Sequence, residues 1–579
     1  MKDYDVVVIG GGINGLTAAA YLAKAGLSVG VFEARGQCGA HCDTVELGRP
    51  GFLHNTHAQW LVPALSPAMA DLDLERFGLE LRGSDVLFAK TFLGGKNVLQ
   101  CLDPSATQAS VARASERDAA VQARFAQYLM EHTPEALAIG QQLIFAAPSA
   151  ELQQRRTAFH DGLLKAIGLS LSGEDVQRMD GFDVLAALYE TEEVRTLPAA
   201  LGEYTGQWPL HRGMGTQAMD LGGLPPTAVH TARGGSHALT HALVKCLVSH
   251  GGEIWTTCPV SRIVVRERRA CGIRLSPDAL LPSEEISARI VISNVTLVPT
   301  FVHMLGAEVI GGDWIDKIKR FNYDDPQLIS VSYALKGDVE FASATYDPAI
   351  QRAWVGYFGG ETLAAIRGAM ADCLAGKIPD EVMGGWFIPT RADPSQAPPG
   401  CHTLQAWVSM PPCPQSWRGR TLHGWDSWRD LAGPLADAIT ERLEQYAPGL
   451  RDLILERHTN TPFDQQHNNP SAIRGNMIGG SAIPEQYGVN RPLPGIITKG
   501  VSRTFLPGLY LSNSTYPYGA THLANGYLAA CEVAEDAGCR EAPWWQAQPY
   551  LWFLENMGRI ATNLGVNTRG ARKAAEGLR

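Results

Sequence analysis

Residues 5–35 read DVVVIGGGINGLTAAAYLAKAGLSVGVFEAR, and the fold turns on them. Val6 to Ile9 form an unbroken apolar run, the pattern of a parallel strand covered on both faces. Gly10, Gly12 and Gly15 follow in GxGxxG spacing, each with its own task. Gly10 permits a tight turn, Gly12 lets the backbone approach a pyrophosphate, and Gly15 lets helix and strand pack closely. Ile13 and Asn14 open a helix whose unsatisfied N–H groups and positive end suit phosphates. A second strand ends at Glu33, where an acid holds a ribose hydroxyl, and Ala34 and Arg35 complete the turn. Strand, glycines, helix and acid together predict a dinucleotide-binding βαβ unit. An acid at position 33 suits an unphosphorylated ribose, as in FAD or NAD.

The chain returns to this fold twice, which favours a flavin over a nicotinamide dehydrogenase with one compact dinucleotide fold. Residues 229–300 predict a helix over 236–250, short strands at 253–256, 260–267 and 270–275, and a buried strand at 289–293 ending near Asn294. The strand at Val260 is placed to lie beside an adenine through backbone groups. PGLYLSNSTYPYGATHLANGYLAA, at 507–530, predicts a strand over Leu509–Ser512, a turn through Asn513, and a small-residue helix. The start of that helix, around Thr521, His522 and Leu523, is placed to face the pyrimidine end of an isoalloxazine. A helix dipole aimed there stabilises a reduced ring.

The rest of the composition narrows the class. A chain of 579 residues, 45% hydrophobic and 19% charged, is long enough for several lobes around sizeable cores. Net charge of −10 argues against nucleic acid as a partner. Eleven cysteines without a CxxC pair read as reduced thiols of a cytoplasmic protein. MKDYDVVVIG runs into a strand rather than a signal peptide, and no apolar run is long enough to span a membrane. HNTH (54–57) and QQHNN (465–469) lack second ligands at metal-site spacing. The tail carries Trp544, Trp545, Tyr550, Trp552 and Phe553 ahead of a basic end. It is a candidate for peripheral membrane contact, for a homo-oligomer interface, or for packing on the protein's own core.

With these segments in view, the chain resembles the phytoene desaturase-like branch of the FAD-dependent amine oxidase superfamily, including its pyridine nucleotide-disulfide oxidoreductase-domain-containing relatives. The likeness rests on the opening βαβ, PGF (50–52), ARGGSHALTHAL (232–243), RIVISNV (289–295), DPSQAPPGCHTLQAWV (393–408) and the stretch at 507–530. It implies an α/β fold. A Rossmann-like FAD-binding domain is assembled from discontinuous segments, with an inserted mixed α+β substrate domain. The expected division is 1–90, 229–300 and 471–538 for the FAD-binding parts, 91–228 for a mainly helical substrate or lid domain, 301–470 for a mixed-sheet substrate domain, and 539–579 for the tail. Where relatives show Gly-Gly after the acidic strand end, this chain has Gly39-Ala40, followed by His41. Where they show Gly-Ala-His or Gly-Ser-His after the Pro-Gly-Phe turn, it has His57-Ala58-Gln59. PYGATH replaces the relatives' PGGG.

The resemblance therefore implies FAD gripped by the residues named above, Ser512 included. It places His57, Gln59, Tyr516, Tyr518 and His522 nearest the ring as candidate catalytic groups. The implied reaction is hydride removal from an apolar or aromatic small molecule, with oxygen or a quinone-type acceptor reoxidising the flavin. Two other outcomes fit the same fold: a flavin-dependent double-bond isomerase, and a flavin-free escort protein that binds prenylated partners. Cys38 and Cys42 bracket Gly39 but match neither the spacing nor the second nucleotide fold of a disulfide reductase. Trp354, Tyr357, Phe358, Trp386 and Trp407 are candidates for an apolar pocket or plain core.

Overall fold

The computed structural model describes residues 3–204, 208–223, 229–281, 285–513 and 522–563. Five parallel strands form the centre of its first sheet. They are β1 (Asp3–Ile9), β2 (Val29–Phe32), β3 (Glu253–Trp255), β4 (Glu285–Ser293) and β5 (Leu509–Leu511). Their spatial order is β5-β4-β1-β2-β3, so strands from the start, middle and end of the chain lie side by side. Val6, Val7 and Val8 are wholly buried, as their unbroken apolar run requires. β4 begins at Glu285, four residues before the expected 289. The antiparallel hairpin Val260–Arg266/Arg269–Leu275 pairs with its first residues, extending the ladder through Gly272 to Ser287 and Arg274 to Glu285.

Between β1 and β2 runs α1 (Ile13–Lys24). Gly15 has no room for a side chain, because a Cβ there would lie 2.5 Å from the Gly10 carbonyl oxygen. The described residues between 104 and 223 are mainly helical and include α2 (Glu116–Glu131), α3 (Thr133–Phe145), α4 (Ala150–Ile167) and α5 (Thr216–Gly223). Next comes α6 (His237–Ser249), which packs on α1. Late in the chain, α7 (Ala524–Ala537) packs on α1 as well, and α8 (Leu551–Asn563) ends the described residues.

A second sheet of seven strands runs in the order 454–460, 327–335, 402–410, 384–387, 355–358, 86–91 and 97–101. Trp354, Tyr357, Phe358 and Trp386 are buried in it or beneath it and form core. Trp407, the fifth of the flagged aromatics, lines the cavity described below.

The aromatic tail folds back on the protein. Trp545 and Phe553 are each 2% exposed. Trp545 packs against Tyr21 of α1 with ring centroids 4.7 Å apart. Asp71 ties the two regions together, accepting from the Tyr21 hydroxyl at 2.8 Å and from the Ala547 N–H at 3.0 Å. The Tyr550 N–H donates to the Leu65 carbonyl at 2.8 Å. Among the described residues, no helix is long and apolar enough to cross a membrane.

Candidate functional site

A cavity of about 980 Å³ opens along the carboxyl ends of β1, β2 and β4 and continues beneath α2 and α3. Its first arm is built mostly from backbone. Gly10 takes a φ of +92°, the left-handed region that favours glycine, and turns the chain from strand to helix. Gly12 caps α1 without any side-chain bond, and no acid sits in the first turn. The N-terminal N–H groups of α1 thus open beside the cavity that Gly12, Ile13 and Asn14 line. A Cβ on Gly12 would fall 2.9 Å from the Asn294 amide, so the loop can carry none.

Glu33 ends β2 with a buried carboxylate. One oxygen accepts from the Gly11 N–H at 2.7 Å and the other from the Arg35 N–H at 2.8 Å. Burial pushes its pKa up, against those bonds and the Arg35 charge. Gly11 went unremarked in the sequence, although the run of three glycines was its signal. A Cβ there would strike the Cys38 sulfur.

Gly39, Ala40 and His41 form the opposite lip. The Gly39 N–H donates to the Gly11 carbonyl at 2.9 Å, which joins the two loops. Ala40 has a φ of +51°, so the residue that replaces the relatives' second glycine keeps a glycine-like backbone. Arg35 reaches across to Asp43 at 2.9 Å and to the Ala40 carbonyl at 3.3 Å. Burial raises the Asp43 carboxyl, but bonds from His237 and Arg35 outweigh it and hold the group at about 2.

Asn294 joins all three chain segments. Its amide donates to the Gly10 carbonyl at 3.2 Å, and its Oδ1 accepts from the Ser512 hydroxyl at 3.1 Å. Its carbonyl accepts from the Asn513 amide at 2.8 Å. The distant helix α7 is locked to α1 in a comparable way. The Gly526 N–H donates to Asn14 Oδ1 at 3.0 Å, and Gly526 lets the helices touch. Leu523 caps α7 in the left-handed region, with φ of +60°.

The predicted cofactor residues separate accordingly. Gly10, Gly12, Ile13, Asn14, Glu33, Ala34 and Arg35 line the cavity from the first segment. Gly39, Ala40, His41, Val260, Asn294, Asn513 and His522 line it from the later ones. Gly15, Ser512 and Leu523 stand behind the wall. Thr521, with the catalytic candidates Tyr516 and Tyr518, lies outside the described residues.

Two further catalytic candidates, His57 and Gln59, meet at the cavity wall with His41. The His41 and His57 ring centroids are 4.5 Å apart. Burial, with the Arg35 charge, holds His41 down at about 4, and burial together with His41 keeps His57 well below the usual histidine range. Both rings are therefore neutral at neutral pH. His57 Nδ1 lies 3.1 Å from the Thr56 hydroxyl, which itself donates to the Asp43 carbonyl. Nδ1 then carries the proton, and Nε2 is left as a buried acceptor with no partner among the described residues. Gln59 is different. Its amide donates to the Asn55 carbonyl at 3.0 Å and to Gln405 Oε1, which also accepts from the Trp407 indole at 3.0 Å. Such bonds hold the amide as a wall element.

Cys38 and Cys42 are buried free thiols, each pushed up to about 12 by burial, so neither is a ready thiolate. Sequence reasoning missed Asn469, which donates to His41 Nε2 at 3.3 Å, and Ser471, which accepts from the Thr296 backbone N–H at 2.8 Å. No motif marked them. The second arm of the cavity falls in the stretch expected to be a helical substrate or lid domain, but none of its α2 and α3 lining residues was named in advance. There Leu129, Leu137, Leu143 and Ile144 of α2 and α3 face Met477, Ile478 and Tyr550.

Comparisons with known proteins agree with this geometry. Residues 8–72 match the family model of an NAD(P)-binding Rossmann-like domain, running from the end of β1 through α1 and β2 into the segments beyond. The chain is 27% identical to one of the limonene dehydrogenase subunits of Castellaniella defragrans, over 94% of this chain and 96% of that one. It is 28% identical to mouse pyridine nucleotide-disulfide oxidoreductase domain-containing protein 2, over 92% and 94%. Identity to the zeta-carotene-forming phytoene desaturase of Myxococcus xanthus is 24%, over 84% and 86%. A solved putrescine oxidase variant shares the fold, with a TM-score of 0.56 at 15% identity over 93% of this chain and 99% of that one. The resemblance read from the sequence thus meets relatives of both kinds it pointed to, pyridine nucleotide-disulfide oxidoreductase-domain proteins and phytoene desaturases, along nearly their full length.

Proposed function

We propose that this protein is an FAD-dependent oxidoreductase that removes hydride from a largely apolar small molecule. The carrying observation is that the glycine-rich phosphate loop and an apolar helical arm open into one cavity. The relatives' names support the reading: a dehydrogenase and a desaturase whose named substrates, limonene and phytoene, are hydrocarbons.

The donor set fits FAD. The uncapped N-terminus of α1 with Gly12 takes the pyrophosphate, Glu33 takes ribose hydroxyls, and the strand at Val260 lies where an adenine would pack. When bound, FAD supplies the two-electron acceptor, which oxygen or a quinone-type carrier then reoxidises. The residues orient the substrate and manage its proton. The side chains of α2 and α3 hold the apolar body and exclude water. His57, a neutral ring in the cavity wall whose Nε2 is left without a partner among the described residues, is the group that takes up the proton released as the substrate is oxidised. Gln59 fixes the wall on which His57 stands, and Asn469 fixes His41 beside it.

The test is anaerobic. Protein supplied with FAD should turn yellow and bleach with an apolar substrate, yielding a product two hydrogens lighter. Product of unchanged mass would convert the reading to isomerisation. Protein that stays colourless after FAD is added would end it.

A further inference from the structure

One charged group interrupts the apolar arm. Asp220 of α5 lines the cavity among leucines and methionines, with its side chain 20% exposed. Behind it stand Arg156 and His160 of α4, both nearly wholly buried. Arg156 donates Nε–H to Asp220 Oδ1 at 3.3 Å and pairs through Nη2 with Oδ2. His160 Nε2 lies 3.2 Å from Oδ1. His160 Nδ1 is buried without a partner among the described residues, so the ring keeps its proton on Nε2 and donates it to Asp220.

The lone pairs decide what this group can take. A carboxylate offers about four acceptor positions. Among the described residues, Oδ1 receives two donors, while Oδ2 receives only Arg156. One acceptor position is left over on a side chain that faces the cavity. Arg156 already neutralises the charge, so an ammonium arriving there would meet the guanidinium behind. An anion would meet the carboxylate in front. A ketone or ether would set lone pair against lone pair. A pure hydrocarbon would strip water from Oδ2 and return nothing, a loss that buried polar atoms make costly. A neutral hydroxyl satisfies every term.

We propose that the substrate is an apolar alcohol whose hydroxyl, remote from the reacting carbon, donates to Asp220 in a subsite built by Arg156 and His160. The proposal rests on the oxidoreductase reading of the same cavity and adds the substrate's head group.

The test measures binding rather than turnover, by calorimetry and thermal shift on the FAD-supplied protein under anaerobic conditions. The probes are 1-octanol and cyclohexylmethanol, each beside its hydrocarbon, methyl ether and primary amine. Each alcohol should bind about 10- to 100-fold more tightly than its hydrocarbon or ether, the worth of one hydrogen bond to a charged acceptor. The amine should rank below the alcohol. The triple variant Arg156→Met/His160→Leu/Asp220→Leu replaces the ion pair and its histidine donor together with apolar side chains of similar bulk, so no polar partner of Asp220 is left stranded. Its melting temperature should hold, and the alcohol's advantage should shrink to about twofold or less. Equal binding of alcohol and hydrocarbon, first rank for the amine, no binding of either alcohol, or an advantage that survives in the variant would each overturn the subsite. Failure to retain flavin would instead strike the oxidoreductase reading, since the head-group ranking is read from binding and not from turnover.

Discussion

The cavity's two arms are made of different material. The cofactor arm is backbone: a left-handed Gly10, an uncapped α1, Gly39 bonded to Gly11, and Asn294 binding three segments. The other arm is side chains projecting from α2, α3 and α5 and from the loop near 477. Backbone geometry tolerates few residue types, so the first arm is demanding and general. Apolar side chains substitute for one another at modest cost, so the second arm is permissive and specific to its ligand.

That contrast can be broken experimentally, most severely at Gly15. Gly15→Val places a branched side chain where even a Cβ lies 2.5 Å from the Gly10 carbonyl. Flavin uptake, read by visible absorbance at saturating FAD, should fall below a tenth of wild type, or the chain should not fold. Normal uptake would mean that the backbone arm is not the cofactor's grip.

His57→Gln tests the meeting point of the arms. Anaerobic bleaching should slow by about 10²- to 10⁴-fold, the usual worth of a positioned base, with flavin content unchanged. An unaltered rate would reduce His57 to a wall residue.

Acidification probes the same corner. His41 is held at about 4 in the folded protein, against about 6.5 unfolded. Between those values the unfolded chain binds a proton that the native one refuses. Stability from this group is therefore complete above pH 6.5 and is lost as pH falls toward 4, by roughly 3 kcal/mol. Urea unfolding of His41→Asn should show a flatter pH dependence across that window.

The smallest effect belongs to Ala40. Ala40→Gly relieves a left-handed alanine at φ +51° and should leave the protein level with wild type or up to about 1 kcal/mol more stable in urea unfolding. A clear loss of stability would show that the Ala40 methyl packs usefully.

These differences explain what could be read in advance. Gly10, Gly12, Gly15 and Glu33 could be singled out because each answers a steric or hydrogen-bonding demand at fixed spacing. The three-part assembly of the sheet was legible from repeated strand, turn and helix patterns, since a parallel strand buried on both faces has a distinctive apolar run. Asn469, Ser471 and Asp220 were not legible, because nothing local distinguishes a polar residue that faces a cavity from one that faces water. Trp354 and Trp386 illustrate the converse, since aromatics suited to a pocket are equally suited to a core. Tyr550 was visible only as part of an aromatic tail, and its place in the cavity wall depends on contacts with Leu65 and Gly140, hundreds of residues away.

The position of Tyr550 also bears on biosynthesis. A ribosome delivers β1 and α1 first, yet β4, β5 and the Tyr550 wall emerge hundreds of residues later. Until they arrive, the glycine loop has neither its Asn294 brace nor its α7 neighbour. Such long-range pairing is slow to form, so the nascent amino terminus must wait with its apolar strands uncovered. On the proposed flavin reading, cofactor capture is thus a late event, completed only once nearly the whole polypeptide has left the translation machinery.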